Sequence, residues 1–264
     1  MKVEERIKAI EEEMARTQYH KGTEHHFGKL KAKLAQLRRM AAQKKGGGRR
    51  FSVRKSGDAT VILIGRAFVG KSSLFNKLTG ADSKVGDHPY TTQKIIPGVM
   101  SYKGAKIQIL DTPALELAEG EILSFTSIAD LVVVVCEPEE DVSEILRKVR
   151  GEVLVVVNKC DVKRVGGLCV SALSGEGVER LKEEVYGKLR LVRVYMKPKG
   201  GKVDMSRPLV LKEGATVKDV WEKLRLKGEM EYAVVWGESA KFPGQKVGEE
   251  HILKDGDVIT IAVK

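Results

Sequence analysis

The eight residues Gly65-Arg66-Ala67-Phe68-Val69-Gly70-Lys71-Ser72 restrict what this chain can fold into more than any other stretch. They satisfy G-x-x-x-x-G-K-[ST], and they stand between the apolar run 60–64 and the helix-forming stretch Ser73-Leu74-Phe75-Asn76-Lys77-Leu78. A strand, a glycine-rich turn and a helix in that order bring backbone N–H groups and a helix N-terminus to one point. That point suits the oxygens of a phosphate chain. Gly65 through Ser73 are therefore expected to line a nucleotide, with Lys71 as a catalytic cation between the β- and γ-phosphates and the Ser72 hydroxyl on Mg²⁺.

Three further stretches fall at the ends of apolar runs. Asp111-Thr112-Pro113-Ala114 closes the run 106–110. An acid at the C-terminal edge of a parallel strand lies beside the phosphate loop, where Asp111 can hold Mg²⁺ and Ala114 can approach the γ-phosphate. Asn158-Lys159-Cys160-Asp161 follows the run 153–157. The Asp161 carboxylate can accept two hydrogen bonds from the ring N–H and exocyclic amine of guanine, a pair adenine does not present. The ligand expected is thus GTP or GDP, and a buried polar mismatch can discriminate by up to about 10⁴-fold. Ser171-Ala172-Leu173 can support the same base from its backbone. Between the first two motifs, His88-Pro89-Tyr90-Thr91-Thr92-Gln93 reads as a switch loop, in which Thr92, in preference to Thr91, is expected to close onto Mg²⁺ and the γ-phosphate. His88 reads as a surface residue. A lone Asp in a turn is ordinary; four such motifs in this order are not.

Around these motifs the pattern predicts an α/β fold. Short β-rich runs at 60–64, 106–110, 131–135, 153–157 and 168–170 alternate with helical stretches, the last at 178–189. This is the pattern of a mostly parallel sheet with flanking helices, here spanning residues 59–190. Residues 191–264 change character. Strands at 192–195, 208–211, 232–236 and 258–263 surround one helix at 217–224, which suggests a small β-grasp unit. Residues 1–45 place Val3, Ile7, Ile10 and Met14, then Phe27, Leu30, Leu34, Leu37 and Ala41 at helical spacing. A helical hairpin follows, with a turn at 18–22 and Thr23 as N-cap. Residues 46–58, which begin Gly46-Gly47-Gly48-Arg49-Arg50, read as a flexible basic linker.

Charge is concentrated at one place. Residues 17–55 hold twelve Lys or Arg against the single acid Glu24, which accounts for the whole net charge of +11. A basic arm of this density points to a polyanion such as RNA, because each phosphate neutralised releases counterions. No apolar stretch approaches the roughly 20 residues of a membrane span, and the N-terminus has no signal-peptide pattern. Cys136, Cys160 and Cys169 form neither a paired framework nor a metal-ligand spacing, so reduced thiols and a cytoplasmic location are expected.

The motifs together resemble those of the developmentally regulated GTP-binding proteins, relatives of the Obg GTPases. The stretch Lys21-Gly22-Thr23-Glu24-His25-His26-Phe27-Gly28-Lys29-Leu30-Lys31-Ala32-Lys33-Leu34 is similar to that family's helical hairpin. Val194-Tyr195-Met196-Lys197-Pro198-Lys199-Gly200 and Tyr232-Ala233-Val234-Val235-Trp236-Gly237 are similar to its C-terminal TGS domain. The resemblance implies a GTPase that associates with ribosomes or RNA, through the basic arm and the TGS unit, and works with a protein partner. Lys197, Lys199 and Trp236 are the TGS residues that could touch RNA; an equally ordinary reading makes Trp236 a packing residue and the two lysines a solvated rim.

Three departures accompany the resemblance. The domain usually inserted before the guanine motif is missing, since residues 129–161 leave room for one helix at 142–150. The glycine expected after Asp-x-Pro is Ala114, which restricts a backbone flip. Leu115 takes the position at which Ras-like enzymes orient water with glutamine, and Phe68 takes the position at which potassium-using relatives carry asparagine, so potassium dependence is not expected. Two readings stand: a slow GTPase switch, or an RNA-binding scaffold that keeps guanine nucleotide as a structural ligand with negligible hydrolysis.

Overall fold

Residues 59–64, Ala-Thr-Val-Ile-Leu-Ile, are apolar or β-branched throughout, and all six are buried in strand β1 (Ala59–Ile64). A strand with no wet face must be covered on both sides, and the period of two divides its side chains accordingly. Val61 and Leu63 join one core, and Ile62 and Ile64 join another on the opposite face. The computed structural model describes residues 55–81, 94–198, 200–226 and 228–263, together with Ile10, Glu12, Glu13 and residues 30–34.

Helix α1 (Lys71–Thr79), strands β2 (Ile96–Tyr102) and β3 (Ala105–Asp111), helix α2 (Leu115–Thr126), strand β4 (Leu131–Cys136), helix α3 (Ser143–Lys148), strand β5 (Val153–Val157) and helix α4 (Val178–Leu189) complete the first unit. Its sheet runs β2-β3-β1-β4-β5. All its pairings are parallel except that of β2 with β3. Leu74, Phe75 and Leu78 of α1 and Leu181, Val185 and Leu189 of α4 cover one face. Leu115 and Ile122 of α2 with Ile145 of α3 cover the other. Each fully buried aliphatic side chain contributes about 1.5–3 kcal/mol relative to exposure.

The second unit follows without a break: β6 (Leu191–Met196), β7 (Leu209–Lys212), α5 (Val217–Leu224), β8 (Met230–Trp236), β9 (Gln245–Val247) and β10 (Val258–Val263). Its sheet order is β7-β6-β10-β8-β9, with β6 and β10 parallel at the centre and the outer pairings antiparallel. Val217 and Val220 of α5 pack on its inner face against Val194, Ala233, Val235 and Ile259. A capping box starts α5: the Thr216 hydroxyl accepts from the Asp219 N–H, and the Asp219 carboxylate accepts from the Thr216 N–H at 2.6 Å. The chain is thus α/β, with a phosphate-loop domain built on a mostly parallel sheet and a β-grasp sheet after it.

Three features depart from the sequence reading. Strand β2 was not expected, because Pro97 and Gly98 lie inside it. It is the edge strand, half exposed and antiparallel, which is where a sheet tolerates proline. The expected strand at 168–170 is reduced to one bridge, Val157 with Cys169. Cys160 and Cys169 are not reduced thiols; they are joined in a disulfide, while Cys136 is free and buried. Residues 30–34 are helical and Leu30 is buried. The remainder of the hairpin, most of the basic arm, and the loop with His88, Thr91 and Thr92 lie outside the described residues, as does Lys199. No described helix is long and apolar enough to cross a membrane.

Candidate functional site

The C-terminal ends of β1, β3, β4 and β5 point to one edge of the first sheet, and every motif loop with described residues leaves from that edge. The phosphate loop depends on two glycines. Gly65 has φ 156°, and a Cβ there would lie 2.2 Å from the Val135 carbonyl oxygen. Gly70, the N-cap of α1, has φ 84°, and a Cβ would lie 2.3 Å from Asn158 Nδ2. Both positions exclude a side chain because another strand or loop passes directly against the backbone.

Asn158 explains that close approach. It is buried, its Nδ2 donates to the Val69 carbonyl at 2.8 Å, and its Oδ1 accepts from the Ala172 N–H at 2.9 Å. One side chain therefore ties the phosphate loop to both guanine-motif loops. Gly70, Ser73, Asn76, Lys77, Asn158, Lys159, Asp161, Val162, Ala172 and Leu173 line a cleft of about 460 Å³ beside it. Asp161 and Leu173 are exposed, and Ser171 is fully buried. Of the stretch Ser171-Ala172-Leu173, expected to support the base from its backbone, the Ala172 N–H donates to Asn158.

Lys71 is buried and folded back on its own loop, donating to the carbonyls of Gly65 at 3.1 Å and Arg66 at 2.8 Å. Burial lowers its pKa, while the nearby Asp111, Glu116 and Glu140 oppose that shift. Ser72 Oγ donates to Asp111 Oδ2 at 2.7 Å, and Thr112 Oγ1 anchors the Asp111 loop to the Leu63 carbonyl at 2.7 Å. A hydroxyl and a carboxylate, both hard oxygen donors, fit Mg²⁺ of the kind completed by phosphate oxygens and water. Among the described residues no group of three or more His, Cys, Asp or Glu forms a separate metal cage.

Several acids at this edge were not singled out from the sequence. Glu116, in the first turn of α2, accepts from the Ala67 N–H at 3.1 Å, and the Leu115 N–H donates to the Gly65 carbonyl at 3.1 Å. Loop 137–141 spans the two halves of the site: Glu140 pairs with Arg66 at 3.4 Å, and Glu137 pairs with Lys159. Burial raises the Glu140 pKa against the opposing Glu137 N–H and Arg66. The legible signal was Glu137-Pro138-Glu139-Glu140-Asp141, an acidic run directly after a buried strand. Phe68 adopts φ 69° and is partly exposed, with the Lys33 ammonium 5.5 Å from its ring centre, so the N-terminal helix reaches the phosphate loop. Leu115 is buried in the core and does not face the cleft.

The model of the 50S ribosome-binding GTPase family matches residues 60–159, and that of the TGS domain matches residues 192–263. A GTP-binding protein of Methanocaldococcus jannaschii is 35% identical over 367 aligned positions, which take in 100% of this chain and 94% of that protein. The developmentally regulated GTP-binding protein 2 homolog of Dictyostelium discoideum is 31% identical, with 100% of each chain covered. The chain belongs to the developmentally regulated GTP-binding protein family. Developmentally regulated GTP-binding protein 1 of Xenopus laevis is also 31% identical over 98% of each chain. The alignment with the M. jannaschii protein runs about 100 positions beyond the 264 residues of this family member. Only α3 separates β4 from β5, so this developmentally regulated GTP-binding protein is a short form without a domain inserted there.

Proposed function

We propose that this GTP-binding protein is a slow GTPase switch that hydrolyses GTP to GDP and phosphate, with the cleft beside Asn158 as its nucleotide site. The observation that carries the reading is the double hydrogen bond of Asn158, which places phosphate loop and guanine loops around one cavity. Asp161 on its rim reads the guanine edge, and the phosphate loop from Gly65 to Ser73 holds the phosphates. To engage them, Lys71 leaves the Gly65 and Arg66 carbonyls and Glu116 releases the Ala67 N–H. Ser72 and Asp111, with Thr92 from the switch loop, would hold Mg²⁺, which when bound neutralises charge on the β- and γ-phosphate oxygens. Leu115 offers no hydrogen bond to water, so intrinsic turnover is low and a partner completes the site.

We place the protein in the cytoplasm on ribosomes or other RNA, held by the basic N-terminal arm and the TGS unit. The relatives' family description as ribosome-binding supports this, as does Lys197, whose ammonium stands 4.3 Å over the Trp236 ring. The scaffold reading draws on the burial of Leu115. Competition binding tests the site: GTP and GDP should displace a labelled guanine nucleotide where ATP does not, and Asp161→Ala should abolish the difference. Single-turnover hydrolysis with and without ribosomes separates the two readings, since a rate that no ribosomal fraction raises would favour the scaffold.

A further inference from the structure

The disulfide lies inside the guanine-recognition element. Cys160 stands between Lys159 and Asp161, and Cys169 lies two residues before Ser171, so a bond across a Cα–Cα distance of 5.9 Å joins the two base-facing loops. Around it the backbone forms a neck. The Val157 N–H donates to the Leu168 carbonyl at 2.9 Å, the Val170 N–H to the Val157 carbonyl at 2.8 Å, and the Cys160 N–H to the Val170 carbonyl at 3.0 Å. Residues 161–168 are the loop beyond that neck, with Asp161 as their first member. Asp161, Val162, Lys163, Arg164, Gly166 and Gly167 are all exposed, and Val162 keeps 80% of its surface in water. Lys163 and Arg164 reach only surface acids, Glu139 and Glu176. Little packing positions Asp161: besides the neck, a turn holds it, in which the Lys159 carbonyl accepts from the Val162 N–H at 3.0 Å and the Lys163 N–H at 3.4 Å.

We propose that the Cys160–Cys169 disulfide is a redox-set clamp on guanine recognition, with Cys160 and Cys169 acting as positioning residues for Asp161. The proposal rests on the assignment of Asp161 to the base. In a reducing compartment an intramolecular disulfide is commonly transient and redox-sensing, with intracellular proteins of hyperthermophiles the main exception. Opening follows ordinary exchange with a dithiol reductant. One reductant thiolate attacks a cysteine sulfur, the S–S bond breaks, and the mixed disulfide is resolved by the second reductant thiol. Two protein thiols form as the dithiol becomes a disulfide, a balanced transfer of two electrons and two protons. The remaining cysteine does not compete. Cys136 is buried, and burial pushes its thiol up to about 11, so little thiolate exists at neutral pH.

Once reduced, the loop samples arrangements in which Asp161 leaves the cleft. If about one in ten retains it, guanine affinity falls about tenfold and the preference over ATP falls with it. The experiment measures GDP, GTP and ATP affinities of the full chain with fluorescent nucleotides, before and after dithiothreitol, with thiols counted by alkylation and mass spectrometry. A Cys160→Ser/Cys169→Ser variant is run in parallel. Support requires one free thiol before reduction and three after it, a drop near tenfold for guanine nucleotides, and a double variant that behaves like the reduced protein and ignores dithiothreitol. Three free thiols at the outset, a bond that resists dithiothreitol in the folded protein, or unchanged guanine affinity after reduction would each overturn the clamp while leaving the site reading intact. An oxidised protein with no preference for guanine overturns both.

Discussion

Asn158→Ala removes a side chain that bonds to the phosphate loop and to the Ala172 loop together, and the cost can be worked from its two contacts. Without Asn158, the Val69 carbonyl loses a donor at 2.8 Å and the Ala172 N–H loses an acceptor at 2.9 Å. Asn158 is only 2% exposed, so water does not readily replace it. Each buried group left unpaired costs about 1–3 kcal/mol, or about 2–6 kcal/mol for the two. Domains of this size hold about 5–15 kcal/mol in all, so the variant should fold but melt early. At roughly 2–4 °C per kcal/mol, the fall in Tm should be at least about 4 °C. If a third to a half of the loss reappears as disorder of the nucleotide loops, GDP affinity should fall about 3- to 150-fold. Thermal melts without nucleotide, paired with calorimetric titration of GDP, measure both. A variant destabilised by less than about 1 kcal/mol, with GDP affinity within a factor of two, would refute the bridging role of Asn158.

The remaining predictions concern Leu115 and the contact between the two sheets. Leu115→Gln, which restores the side chain of Ras-like enzymes, should not accelerate GTP hydrolysis, because position 115 packs against the core and is 6% exposed. It should instead cost about 2–4 kcal/mol by replacing buried apolar surface with an amide; faster turnover in single-turnover assays would contradict this. Asp130 is held below the ordinary carboxylate range: burial works against ionisation, but the hydrogen bond from Lys212 and that from the Thr60 N–H outweigh it. A depressed folded pKa gives stability that is complete above the unfolded value and lost as pH falls through the folded one. Asp130→Asn should therefore be less stable than the parent at pH 6, with the gap closing below about pH 4. Urea melts across that range would show a gap independent of pH if the ion pair contributed nothing.

Much of the site was readable because its chemistry is carried by short contiguous stretches, each placed at the end of an apolar run. Residues 65–72 and 158–161 follow β1 and β5 directly and Asp111 ends β3, so a local pattern predicted where the sheet would put them. What escaped depends on contacts between distant residues. Pro97 and Gly98 look like breakers unless it is known that their strand sits on an edge. The disulfide follows from the bridge of Val157 with Cys169, which turns the chain back on itself and brings Cys169 to Cys160. A separation of nine residues alone predicts no such pairing. Glu116 and Glu140 read as ordinary surface charges until the fold sets them 49 residues from Ala67 and 74 from Arg66 along the chain yet in contact with them.

The placement of the second sheet limits how it can act on the first. Among the described residues its ion pairs to the nucleotide domain are Lys223 with Asp58 at 3.0 Å, Lys212 with Asp130 at 2.5 Å and, beside the junction, Glu213 with Arg190 at 4.0 Å. Asp58 and Asp130 immediately precede the parallel strands β1 and β4, at the edge opposite the phosphate loop. Val210 of β7 completes the core beneath α1 and α4. The β-grasp unit therefore docks where strands begin, and the nucleotide cleft opens where they end. No described residue of the β-grasp unit lines the cleft. The described contacts between the units thus run through Asp58 and Asp130, through Val210 in the core of α1 and α4, through Pro208 against Gly104, and through the end of α4, whose last residue, Leu189, stands two positions before β6. The N-terminal helix is different, because Lys33 reaches Phe68 of the phosphate loop itself. Lys33 is thus the described arm residue that stands beside the phosphate loop, whereas the second sheet docks at the opposite edge.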